Sequence, residues 1–214
     1  MFTKRITVAV AGAVAAASLV ATSFAAPAGA VPAQAPAEGE GADQTIAGIV
    51  ASSGEGFDTF GGDYDVLLAA VTAAGLVDTL NTPGLDVTVW APKDRAFVKT
   101  AQALGFGGAI TDEEGAWNFL VDTLTTLGGG DPIPTLTTIL LYHVTPDARG
   151  PGRVLAATRF PTLAEIGIRH VPGSTKLIDK APERRNPRLV SPINVRASNG
   201  VIHTINRVLL PIAV

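Results

Sequence analysis

The chain of 214 residues has no cysteine, one methionine and only 6% aromatic residues. Without thiols it has no disulfide scaffold, thiolate zinc site, iron–sulfur cluster, cysteine nucleophile or lipid-modified cysteine. Sparse aromatics argue against stacking platforms for sugars or single-stranded nucleic acid. Sixteen basic residues against 19 acidic ones leave a net charge of −3, so the dense cationic footprint that nucleic acid requires is missing. Gly-x-Ser-x-Gly, His-Glu-x-x-His, Walker and Gly-x-Gly-x-x-Gly signatures are missing as well. Gly128–Asp131, near Asp112, Glu113 and Glu114, lacks the alternating oxygen ligands of a calcium loop. It reads as a solvated loop beside an acid-favouring helix start. No metal and no cofactor is expected.

The first residues carry a different signal. Lys4 and Arg5 precede an apolar run from Ile6 to Val20, and Ser23-Phe24-Ala25 offers a small-x-small cleavage site, with Ala28-Gly29-Ala30 as a second option. This pattern predicts a signal peptide over residues 1–25 and export. The alternative is an uncleaved anchor, which wants about 20 strongly apolar residues, whereas this run is short and mostly alanine. Residues 26–44 are rich in Ala, Pro, Gly and acid and read as a flexible spacer. After Pro211 only Ile212-Ala213-Val214 follow, so release from the cell is expected, with association to the envelope through a partner as the alternative.

Periodic sequence begins at Thr45 to Val50. Val66, Leu67, Ala70, Val71 and Ala74 share a helical face, Asp63 or Asp65 is placed to cap that helix, and Gly75 to end it. Leu76–Leu80 adds an apolar turn. Asp86–Trp90 alternates as a strand. Thr111-Asp112-Glu113-Glu114 matches a capping box, and a helix over 112–126 follows. Pro132 and Pro134 open another apolar helix that runs into Tyr142-His143-Val144. From Val154 the texture changes to short strands, ending in a hairpin around Ser198-Asn199-Gly200, where Asn-Gly suits a type I′ turn. Helices first and strands later, with one strand between helices, predict an α+β domain with a mostly antiparallel sheet.

Three histidines stand alone in their segments: His143, His170 and His203. None has ligand spacing to another. His203 shares a strand face with Val201 and Ile205 and reads as a hydrogen-bonded core residue. His143 ends an apolar helix, where a carboxylate such as Asp94 is a candidate partner for its ring NH. That pair is a structural network unless a nucleophile faces it.

Three segments together resemble the fasciclin (FAS1) domain family. Thr88–Phe97 (TVWAPKDRAF) resembles its first signature, Leu140–Val144 (LLYHV) its Tyr-His motif, and Ala197–Pro211 (ASNGVIHTINRVLLP) its second signature. Thr45-Ile46 and Ala73–Leu80 fit the opening helices, and the likeness covers residues 43–214 in the expected order. Trp90 stands where Phe is common, and Asn206 where Asp is. Residues 146–192 match only loosely, although Leu177-Ile178-Asp179 and Leu189-Val190 fit short strands. Asp94, Phe97, Asn199, Gly200 and His203 then read as structural motif positions. The resemblance implies helices packed on a mostly antiparallel sheet or wedge. It also implies a secreted, non-catalytic adhesion or interaction module that contacts matrix, cell-surface protein or polysaccharide. Tyr142 and His143 carry over as partner-binding positions. Loops around 54–62, 128–131 and 180–188 are equal contact candidates, the last through its basic run KAPERRNPR, which suits an acidic polymer. The alternative is an extracellular binding module for a small apolar or carbohydrate ligand.

Overall fold

A computed structural model describes residues 43–54 and 56–212. The expected leader, and all but the last two residues of the expected spacer, lie outside the described residues. The described chain opens with three helices, α1 (Ile46–Ala51), α2 (Asp65–Ala73) and α3 (Val77–Asn81). The Thr45 hydroxyl accepts the Gly48 N–H at 3.1 Å and so caps α1. Gly75 closes α2 at φ +66°, which lets the Leu76 N–H reach back to the Val71 carbonyl. The start of α2 differs from the sequence expectation. Neither Asp63 nor Asp65 caps it; Asp94, 28 residues onward, accepts the Val66 N–H at 2.7 Å. A tertiary neighbour has taken over a role that local sequence assigns to a nearby acid.

Strand β1 (Val87–Pro92) leads into α4 (Asp94–Leu104), α5 (Glu113–Leu127) and α6 (Ile133–Tyr142). The cap of α5 is Asp112, accepting the Gly115 N–H at 2.9 Å, in place of the expected Thr111. With Asp112 at the cap, the third helical residue is Gly115, which has no side chain to return the second bond of a capping box. Next come β2 (Val144–Pro146), α7 (Pro151–Ala156), β3 (Arg159–Phe160), β4 (Ile168–His170), β5 (Leu177–Ile178), β6 (Val195–Ala197) and β7 (Gly200–Ile205). Among the described residues, no helix is long and apolar enough to cross a membrane.

The strands form a four-stranded sheet, β2-β1-β7-β6, and a three-stranded sheet, β3-β4-β5. All pairings are antiparallel except the central one, where β1 runs parallel to β7 with Val87 opposite Gly200 and Pro92 opposite Ile205. Every residue of β1 is buried, as expected of a strand covered on both faces. Its two faces serve different layers. Val87, Val89 and Ala91 join Ile46, Leu67, Phe97 and Leu140 under the helices. Trp90 joins Tyr142, Phe160, Ile168 and Leu177 against the smaller sheet.

The last hairpin also differs from expectation. Ala197 pairs with Gly200, so Ser198 and Asn199 form the turn, and neither they nor Gly200 has a positive φ. The turn is therefore not type I′. Gly200 is required by space, because a Cβ there would collide with the Val87 carbonyl and crowd Ile46.

Candidate functional site

The Tyr-His pair lies inside the fold. Tyr142 is 0% exposed, and its hydroxyl has no hydrogen-bond partner among the described residues. Burial, and then the nearby Asp179 carboxylate, raises its phenol above the ordinary tyrosine range. His143 ends α6 and bridges main chain on both sides. Its Nδ1 lies 2.8 Å from the Ile139 carbonyl, and its Nε2 accepts the Leu209 N–H at 2.9 Å. That pattern needs the neutral ring protonated on Nδ1, and burial pushes the ring down to about 4. The carboxylate partner considered for His143, Asp94, is elsewhere: the helix carbonyl four residues back satisfies the ring NH, leaving Asp94 to cap α2.

The other histidines behave alike. His203 lies 2.7 Å from the Arg149 carbonyl through Nε2 and accepts the Asn194 N–H at 3.2 Å. Its ring stacks on Trp90 with centroids 5.5 Å apart, and burial lowers its pKa. Trp90, the larger ring where the family usually has Phe, donates its indole NH to the Thr145 hydroxyl at 3.0 Å. His170 sits between the Ala157 and Ser174 carbonyls at 2.7 and 2.9 Å. All six ring nitrogens thus face main chain, and none faces a side-chain nucleophile.

Asn199 is a clamp. Its Oδ1 accepts the Ile46 N–H at 2.9 Å, and its Nδ2 donates to the Leu80 and Thr82 carbonyls at 2.8 and 3.0 Å. One amide thereby ties the start of α1 and the end of α3 to the β6–β7 turn. Phe97 anchors α4 in the helical core.

Sequence reading did not foresee a group of buried carboxylates. Asp65, Asp94 and Glu113 are the first residues of α2, α4 and α5, and Asp63 lies just before α2. Three helix N-termini therefore meet around acids. Asp63, Asp94 and Glu113 are no more than 1% exposed and offer ligand oxygens within 4.8 Å of one another; Asp58, Asp63 and Asp65 form an overlapping group. Burial, followed by repulsion from Asp63 and Asp58, pushes Asp65 up to about 6. Glu113 rises to about 7, chiefly through burial, although one oxygen accepts the Asp58 N–H. Asp94 is raised by burial first and then by the adjoining Asp63 carboxyl. A Cβ on Gly54 would collide with the Asp65 carboxylate, so the glycine-rich loop lies directly on this group.

Two surfaces are open to a partner. Arg95 and Lys99 lie one turn apart on α4, Arg207 lies near Lys99, and Arg185 lies near Arg207. Lys99 is lowered by burial and then by Arg207 and Arg95, and Arg207 by burial and then by Arg185. The 180–188 loop behind them is held to the end of β7, because Asn206 Oδ1 accepts the Arg188 N–H and the Asn206 N–H donates to the Arg188 carbonyl. Asp179, the acid beside this face, is occupied by the Leu210 and Ala181 N–H groups. The second surface is an apolar cavity of about 170 Å³ lined by α1, α2, α3 and α6, including Ile46, Leu67, Val71, Val77, Leu80 and Leu140.

Known proteins resemble this chain in sequence and fold. A family model described as Fasciclin domain matches residues 62–211. "Uncharacterized protein sll1735" of Synechocystis sp. is 34% identical over 149 residues, 69% of this chain and 89% of that protein. Transforming growth factor-beta-induced protein ig-h3 of Sus scrofa is 32% identical over 160 residues, 72% of this chain but only 19% of that protein. The solved structure of a FAS1 domain pair from the insect cell adhesion molecule Fasciclin I superposes with a TM-score of 0.52 at 18% identity, covering 79% of this chain and 51% of that one. At that identity the likeness speaks for the fold. With the signatures on β1–α4, α6–β2 and β6–β7 in family order, the chain belongs to the fasciclin domain family.

Proposed function

We propose that this chain is a secreted, non-catalytic adhesion or interaction module that contacts matrix, cell-surface protein or surface polysaccharide, with the basic face of α4 and the 180–188 loop as its contact surface. The carrying observation is a chain of neighbouring cations, Arg95, Lys99, Arg207 and Arg185, none of them in an ion pair among the described residues, in a protein of net charge −3. Cations held close together without a matching acid favour a polyanionic partner, because the partner relieves their repulsion on binding. The family supports the class of function, and an insect relative in fold is a cell adhesion molecule. The engagement of every histidine ring with main chain argues against histidine as a general acid or base.

The test is binding of the full chain to immobilised dextran sulfate and to neutral dextran, with wild type beside a Lys99→Glu/Arg185→Glu/Arg207→Glu variant. Wild type is expected to bind only the sulfated polymer, more weakly as salt rises, and the variant to lose about tenfold or more in affinity. Equal binding by wild type and variant, or no preference for the charged polymer, removes the basic face. A folded Tyr142→Phe/His143→Gln pair is the second arm. Loss of binding there with retention in the charge variant assigns the contact to the Tyr-His region. A second reading, a small apolar ligand, is favoured by the cavity beneath α1 and α3.

A further inference from the structure

We propose that Asp63, Asp94 and Glu113 form a binding site for a calcium ion, with Asp58 and Asp65 at its outer edge, and that the ion fastens the 56–62 loop to the N-termini of α2, α4 and α5. The acidic grouping is not the argument by itself. Asp63 Oδ1 and Oδ2, Asp94 Oδ2 and Glu113 Oε1 are buried and have no hydrogen-bond partner among the described residues. Asp63 is 1% exposed and has neither oxygen satisfied. A buried carboxylate oxygen without a partner is costly unless it is protonated or meets a cation.

Geometry and charge then select the ion. The ligand oxygens lie within 4.8 Å of one another, close enough for one ion with bonds of about 2.3–2.6 Å to reach all three residues. Every candidate ligand is a carboxylate, which suits a hard cation rather than zinc or copper. Each helix N-terminus contributes only about half a positive charge, so three of them fall short of the charge that the four carboxylates Asp63, Asp65, Asp94 and Glu113 would carry together. Lys93 lies near enough to feel Asp63, yet among the described residues neither it nor Arg95 forms an ion pair with the group. Magnesium demands a tighter octahedron with bonds of about 2.0–2.1 Å and usually retains water, so it fits this site less well. The alternative to a cation is a proton shared between Asp63 and Asp94.

Full-length protein stripped with a chelator is titrated with calcium chloride, and in parallel with magnesium chloride. Calorimetry reads stoichiometry, and the melting midpoint reads stability. Expected are one calcium per chain, a rise in melting midpoint, a weaker magnesium response, and slower amide exchange in residues 56–62. Asp63→Asn and Glu113→Gln each remove a buried charge without changing size. In both, calcium affinity is expected to fall about 100-fold or more. If wild type shows no calcium response up to about 10 mM, beyond the range of the weakest calcium modules, the site is a shared-proton cluster and the proposal is wrong; a response to magnesium alone overturns it as well, by making the ion magnesium. A calcium response retained undiminished in both folded variants places the ion elsewhere and overturns it equally.

Discussion

At the scale of single residues, Asn199 commits its whole amide to main chain on two other elements. Each such bond is worth about 1 kcal/mol net, and the buried Ile46 N–H adds the cost of an unmatched donor when its acceptor is removed. Asn199→Ala is therefore expected to destabilise the protein by about 3 kcal/mol. Asn199→Asp, almost identical in shape, is expected to cost at least as much, since it aims a second acceptor at the Leu80 and Thr82 carbonyls. Urea unfolding of the three proteins checks both numbers, and a near-neutral Asp variant would show that the clamp is not made by Nδ2. In sequence, Asn199 reads as a turn residue because Asn-Gly is a turn signal. Its long-range bonds, to residues 119 and 153 positions away, have no local signature.

At the scale of elements, the short helix α3 forms one wall of the apolar cavity. None of its five residues is buried, and it is tethered through the Leu80 carbonyl to Asn199 and through Asn81 to the Thr45 hydroxyl at 2.5 Å. A one-turn helix with little buried surface belongs to the low-stability end of a fold, so it can admit a ligand that the surrounding helices would exclude. A cavity of about 150 Å³ holds a benzene-sized molecule, and this one is about 170 Å³. Toluene is accordingly expected to raise the melting midpoint of the wild type and to leave that of a cavity-filling Val71→Phe variant unchanged. No shift in the wild type eliminates the apolar-ligand reading. The same elements show where sequence reading reached. The apolar spacing of α2, the alternation of β1 and the Gly75 stop were all legible, because each is a local pattern. The parallel β1–β7 pair was not, since 113 positions separate Val87 from Gly200 and the hydrophobic alternation of a strand carries no direction of pairing.

At the scale of the whole molecule, the carboxylate group shows how local adequacy hides a tertiary site. Asp65, Asp94 and Glu113 each begin a helix, where an acid is favoured by the dipole, so each is already accounted for one helix at a time. Only the topology that brings the three N-termini together makes them a cluster. His143 acts in the same global way on stability. His143 is held neutral, near 4, against about 6.5 in the unfolded chain. Above pH 6.5 both states are neutral and the shift has no effect; as pH falls from 6.5 towards 4, the unfolded state takes up a proton that the folded state refuses. Stability is therefore lost on acidification, at up to 1.36 kcal/mol per pH unit and about 3 kcal/mol in all by pH 4. The raised carboxyls act in the opposite sense, so a single stability curve mixes the two. Comparison with His143→Gln separates them. That variant is less stable at pH 7, where the Leu209 N–H has lost its ring acceptor, but it has no ring to titrate. The gap between wild type and variant, read from urea midpoints at each pH, is expected to narrow by about 3 kcal/mol between pH 7 and pH 4. A gap that stays constant over that window would mean that the ring is protonated as readily inside the fold as outside it.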